Sequence, residues 1–158
     1  MDVFFELPAL QEPSVVCLGN FDGVHKGHQH LIKEAVKCAK GLGLASVVMT
    51  FEPHPAKVLN PQKQLKKILP NNIKTELIAS LGVDMLIYLP FSKETANISP
   101  EGFITTILKE SCQASHIFAG FNYTFGKSAA GNISTLQHFS SLLDYKICVI
   151  PPYIINNN

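Results

Sequence analysis

His25 and His28 stand three residues apart in the run Leu18-Gly19-Asn20-Phe21-Asp22-Gly23-Val24-His25-Lys26-Gly27-His28. Side chains three apart at the start of a helix can point the same way. An imidazole there can donate hydrogen bonds to phosphoryl oxygens and, when protonated, neutralise charge that builds up on them. The run lies between an apolar stretch, Val15-Val16-Cys17-Leu18, which reads as a buried strand, and a helical pattern in which Leu31, Ile32, Ala35, Val36 and Ala39 recur. A strand-to-helix junction presents free backbone N–H groups and the positive end of a helix dipole, and phosphate binds well in such a place. Gly19 and Gly23 lack a Cβ and are expected to turn the backbone sharply and let it approach a ligand. Asp22 is either the helix N-cap or a ligand contact. Two histidines can also ligate zinc, but no cysteine or further histidine falls at the usual ligand spacing. The run is therefore expected to hold a nucleoside triphosphate by its phosphates.

The rest of the composition limits how that charge can be met. All thirteen basic residues are lysine, so a bidentate guanidinium clamp on phosphate is absent from the chain. Lysine, histidine, backbone amides and metal ions must do that work, or another piece of protein. The 158 residues, 46% hydrophobic and 16% charged, suit one globular domain with a real core. A net charge of +1 leaves no electrostatic footprint for nucleic acid. No apolar run reaches the length that spans a bilayer, so no membrane partner is expected. Met1 to Glu6 carries acids and no basic region, unlike a secretory signal. Cys17, Cys38, Cys112 and Cys148 form no C-x-x-C pair and are expected to be reduced and mostly buried, in a cytoplasmic protein.

The elements that must position the histidines alternate regularly. After the first strand and helix, Gly41-Leu42-Gly43 stops the helix. Leu44 to Phe51 reads as a second strand, broken by Glu52-Pro53-His54-Pro55. A lysine-rich loop from Lys57 to Lys67 follows. Asn71 or Asn72 is expected to cap a helix through Leu81, closed by Gly82. Asp84 to Leu89 is a third strand. Ser99 and Pro100 suit the N-cap and first position of a helix that runs to about Cys112. His116 to Ala119 is a fourth strand, and a glycine-bearing loop leads to a helix from about Ser134 to Leu143. Lys146 to Ile150 is a fifth. Apolar strands separated by helices indicate an α/β fold, a Rossmann-like parallel five-stranded sheet with helices on both faces. Ligands in such sheets bind at the carboxyl ends of the strands, near the switch in strand order.

Four segments carry a family resemblance. Gly19 to His28, Thr50-Phe51-Glu52-Pro53-His54-Pro55, Ser99-Pro100-Glu101-Gly102-Phe103 and Ala119-Gly120-Phe121-Asn122-Tyr123-Thr124-Phe125-Gly126-Lys127 resemble the signatures of the FMN adenylyltransferase (FAD synthetase) module of bacterial bifunctional riboflavin kinase/FAD synthetases. These belong to the His-x-Gly-His nucleotidylyltransferase superfamily. The resemblance implies the nucleotidylyltransferase fold and transfer of AMP from ATP to FMN, with magnesium, to give FAD and pyrophosphate. It implies catalytic roles for His25, His28 and Asn122, and an ATP site of Gly19, Phe21, Asp22, Gly27 and His28. It implies a flavin site of Phe51, Pro53, Pro55, Asn122 and Phe125, while the magnesium ligands stay unassigned. Phe121 and Tyr123 are further candidates for an apolar flavin slot, with core packing as the alternative for each aromatic.

The family's Ser-Ser/Thr-x-x-Arg motif and its riboflavin kinase module are absent, so residues 1–158 are expected to be a truncated adenylyltransferase domain of a longer parent chain. Two other readings stay open. One is an adenylyltransferase for another phosphorylated cofactor precursor; the other is a catalytically weak nucleotide- or flavin-binding fragment.

Overall fold

The computed structural model describes residues 1–53 and 70–151. His54, Pro55 and the lysine-rich loop lie outside the described residues. Six parallel strands form one sheet: β1 (Asp2–Phe4), β2 (Ser14–Leu18), β3 (Ala45–Glu52), β4 (Met85–Pro90), β5 (Ala114–Gly120) and β6 (Lys146–Ile150). Their order is β1-β4-β3-β2-β5-β6. The expected five strands are all present; the sixth, β1, is a correction. It has only three residues and pairs at the edge with β4, Val3 opposite Leu86. Its register is reinforced where the Asp2 N–H donates to the Asp84 carbonyl at 2.9 Å.

Side chains alternate across the strands, so each face builds its own core. One face carries Val15, Cys17, Val48, Leu86 and Tyr88, covered by Leu31, Ile32, Ala35, Val36 and Ala39 of α1 (Lys26–Leu42) and Ile78 of α2 (Asn71–Ser80). The other carries Val16, Leu18, Met49, Ile87 and Ile117, covered by Phe103, Ile104, Ile107 and Leu108 of α3 (residues 100–111) and by Leu136 of α4 (Ile133–Ser140). The helix α3 opens as an α-turn, Pro100–Gly102, and continues as a π-helix over Phe103–Ser111.

Helix ends follow local chemistry with two exceptions. The Ser99 hydroxyl accepts from the Gly102 N–H at 3.0 Å, as expected of an N-cap followed by proline. Gly43 closes α1 at φ 68°, the left-handed conformation that glycine adopts without penalty. Neither Asn71 nor Asn72 caps α2; Pro70 holds that position with no side-chain cap, and the helix begins one residue later. Proline's fixed φ suits a helix start without needing an asparagine. The other exception is α1, whose N-cap, His25, makes no side-chain cap.

The strongest cap is on α4. Asn132 and Thr135 form a capping box, each side chain accepting from the other's backbone N–H at 3.1 Å. Replacing Asn132 by Ala should cost about 1 kcal/mol, lowering the midpoint of thermal unfolding by about 2–4 °C. Calorimetric scans of the two proteins check this.

Candidate functional site

The helix α1 begins at Lys26 with His25 as N-cap, and no side chain caps it. Its first-turn N–H groups are thus left to a ligand or to water. Asp22 is not the N-cap, which removes one of its two readings. Immediately before the helix the chain makes two left-handed turns, at Phe21 (φ 51°) and Val24 (φ 44°). The sequence pattern assigned these turns to Gly19 and Gly23, which stay out of the left-handed region. Gly19 serves space instead: a Cβ there would lie 2.6 Å from the Phe21 ring. Phe21 is fully buried in the α1-side core, and burial of a large aromatic outweighs the strain of one unusual φ. Gln29 ties the loop to the helix, its Nε2 donating to the Val24 carbonyl at 3.0 Å.

His25 and His28 stack face to face, ring centroids 3.7 Å apart and planes 23° apart. Phe21 meets the His28 ring edge-on at 5.3 Å. Burial pushes the His28 pKa down to about 4; the neighbouring His25 adds to the drop, Asp22 opposes it and Lys74 adds to it. The ring is therefore neutral near pH 7. Its Nδ1 is buried and has no hydrogen-bond partner, which costs about 1–3 kcal/mol and fits a site completed by a ligand.

Among the described residues, three cavities at the carboxyl ends of the strands concern the site. Two share the histidine pair and Asn122. One, about 410 Å³, is lined by Gly19, Asp22 and Gly23; the other, about 480 Å³, by Gly27, Phe121 and Ile150. The third, about 600 Å³, is aromatic, walled by Phe51, Phe91, Phe103 and Phe125 with Lys93 and Lys127. Phe51 meets Phe91 edge-on at 5.2 Å, and Phe125 tilts against Phe103 at 5.2 Å. Asn20 and Thr124 line both the aromatic cavity and the 410 Å³ cavity, forming their common wall.

Of the expected residues, His25, His28, Gly19, Phe21, Asp22, Gly27 and Asn122 gather at the histidine side, and Phe51 and Phe125 at the aromatic side. Asn122 lines no part of the aromatic cavity, and Pro53 is half-buried on neither side. Phe121 and Tyr123 also fall on the histidine side. Pattern reading passed over Phe91, Phe103, Asn20 and Lys74. Asn20 and Phe103 lie inside the quoted segments and needed only their partners to be seen.

No cysteine is poised as a nucleophile: all four are free, and burial pushes the thiols of Cys17, Cys38, Cys112 and Cys148 up, Cys112 to about 12. Among the described residues no helix is long and apolar enough to cross a membrane.

Comparison with known proteins identifies the family. The family model described as FAD synthetase matches residues 7–158. A bifunctional riboflavin kinase/FMN adenylyltransferase of Listeria monocytogenes is 40% identical over 127 residues, 80% of this chain and 40% of its own. One from Buchnera aphidicola subsp. Schizaphis graminum is 31% identical over 151 residues, 96% of this chain and 48% of its own. The chain thus spans less than half the length of these relatives. A crystal structure described as a macrolide-efflux protein from Streptococcus pneumoniae superposes with a TM-score of 0.84 at 31% identity, over 100% of this chain and 54% of that one. A universal stress protein from Archaeoglobus fulgidus, 12% identical with a TM-score of 0.52 over 88% of this chain and 98% of its own, shares the fold alone.

The lowered pKa of His28 makes folding stability depend on pH. Below pH 6.5 the unfolded chain takes up a proton that the folded ring refuses until about pH 4, so stability falls as pH drops through that window. Urea unfolding midpoints at pH 7 and pH 5 should differ in the parent protein. His28→Asn should reduce the difference without abolishing it, since burial and Lys146 also lower the pKa of His116.

Proposed function

The chain belongs to the FAD synthetase family, and on that premise we propose that it transfers the adenylyl group of ATP to the phosphate of FMN, releasing pyrophosphate and FAD. One observation carries the reading: the stacked histidine pair at an uncapped helix start lines a cavity that shares Asn20 and Thr124 with the aromatic cavity. The ATP phosphates lie against the first turn of α1, where backbone N–H groups and the helix dipole favour an anion. The isoalloxazine ring fills the aromatic cavity, an apolar slot with few polar groups. Its phosphate reaches past Asn20 and Thr124 toward the histidines.

A phosphate oxygen of FMN attacks the α-phosphorus in line, the bond from that phosphorus to the oxygen bridging to the β-phosphate breaks, and pyrophosphate leaves with the electron pair. Such a step asks the protein for alignment and charge stabilisation more than for covalent chemistry. A neutral His28 donates one N–H to a phosphoryl oxygen, and its ring becomes easier to protonate once phosphate sits beside it. Asn122, on both histidine-side cavities, orients the α-phosphate with its amide. Magnesium bound to the phosphates would draw off charge. Among the described residues no three His, Cys, Asp or Glu side chains converge, which fits a cation that arrives on the nucleotide and keeps most of its waters. The four free cysteines suit the cytoplasm, and a riboflavin kinase module, the other half of the relatives' name, is the source of FMN.

Incubation with ATP, magnesium and FMN should produce FAD, read as quenched flavin fluorescence, together with pyrophosphate. His28→Ala should lower the rate on the order of a hundredfold or more. Binding of ATP and FMN with no pyrophosphate released would instead indicate a binding module, and preference for another phosphorylated acceptor would reassign the substrate. Phe125→Ala should weaken FMN binding by about tenfold or more, since it empties one wall of the aromatic cavity, while leaving ATP affinity unchanged in calorimetry.

A further inference from the structure

Lys74 and Ile78 are the buried positions of α2. A lysine at a core position of a helix is unusual, because burying an ammonium is strongly unfavourable unless the charge is well partnered. Lys74 is 5% exposed. Its Nζ donates to the Asn20 carbonyl at 2.8 Å and lies 6.0 Å from the centre of the Tyr88 ring. The Thr50 hydroxyl donates to the same carbonyl at 2.9 Å. Two donors on one carbonyl fix the Asn20–Phe21 peptide at the point where Phe21 enters its left-handed turn. That turn sends the Phe21 ring beneath Gly19 and edge-on against His28.

We propose that Lys74 is a positioning residue for the histidine pair: clamping the Asn20 carbonyl, it sets the Phe21 turn on which the His28 ring rests, and it brings a positive charge to the phosphate site from behind the loop. The charge serves in two ways. It attracts the polyanion through the loop, in a chain that has no arginine. It also joins burial and His25, the N-cap of α1, in lowering the His28 pKa, against Asp22 in the loop. The catalytic roles of the histidines rest on the adenylyl-transfer reading; the placement by Lys74 does not.

The test compares Lys74→Met, which keeps the length and apolar stem, with Lys74→Arg, which keeps the charge. His28 titration by imidazole NMR in the unliganded protein needs no substrate, so it stands whether or not the chain makes FAD. In Lys74→Met the His28 midpoint should shift upward, and in Lys74→Arg it should stay near the parent value. In calorimetry Lys74→Met should bind ATP about tenfold more weakly with FMN affinity unchanged, a split that general loosening of the fold does not produce. Should Lys74→Met fail to fold, Lys74→Gln, with a donor but no charge, is expected to raise the midpoint and weaken ATP in the same way. Parent-like His28 titration and ATP affinity in a folded uncharged variant would overturn the proposal, as would equal losses for ATP and FMN.

Discussion

The chain leaves β2 on one side toward β3 and β4, and returns on the other side with β5 and β6. No crossover can cover both neighbours of β2 at once, so a crevice opens where its carboxyl end meets that of β5. Gly19 to His28 follow β2, and Phe121 to Thr124 follow β5. Both loops line the same cavity. The open switch in strand order is the constraint on which the site depends, because it lets one loop bring a helix start and the other bring Asn122 and Thr124 without either blocking the other.

The two cores divide the labour. The α1-side core ends in Phe21 and Val24 and supports the histidine loop from below. The α3-side core ends in Phe103 and Phe125, with Phe51 packed against it, and opens into the aromatic cavity. Each half of the site is thus the upper edge of a different packed layer, and its side chains are held by the same contacts that stabilise the sheet. Phe103 and Ile107 both reach the aromatic cavity from the π-helical part of α3.

Much of this was legible because it is local. Five strands show as apolar runs, Ser99-Pro100 as a helix start, and the histidines as a helix-start pair. What escaped depends on distant partners. The strand β1 is three residues long and begins with Asp2, and only its pairing with β4 makes it a strand. Glycine rules place the tight turns of the first loop at Gly19 and Gly23, whereas core burial forces them onto Phe21 and Val24. Lys74 carries no local signal, because its partner, the Asn20 carbonyl, lies 54 positions away. Asn122 sits in a segment shared with Phe125, yet the two side chains fall on opposite sides of the wall.

That wall has a consequence for departure. On the proposed adenylyl transfer, a dinucleotide formed across Asn20 and Thr124 would keep one half in each chamber, each half tethering the other at a high effective concentration. Letting go of the adenine end alone would return it quickly, and so would letting go of the ring. Escape would require both grips to loosen within the same moment, so the residence time would exceed that of either mononucleotide by a wide margin.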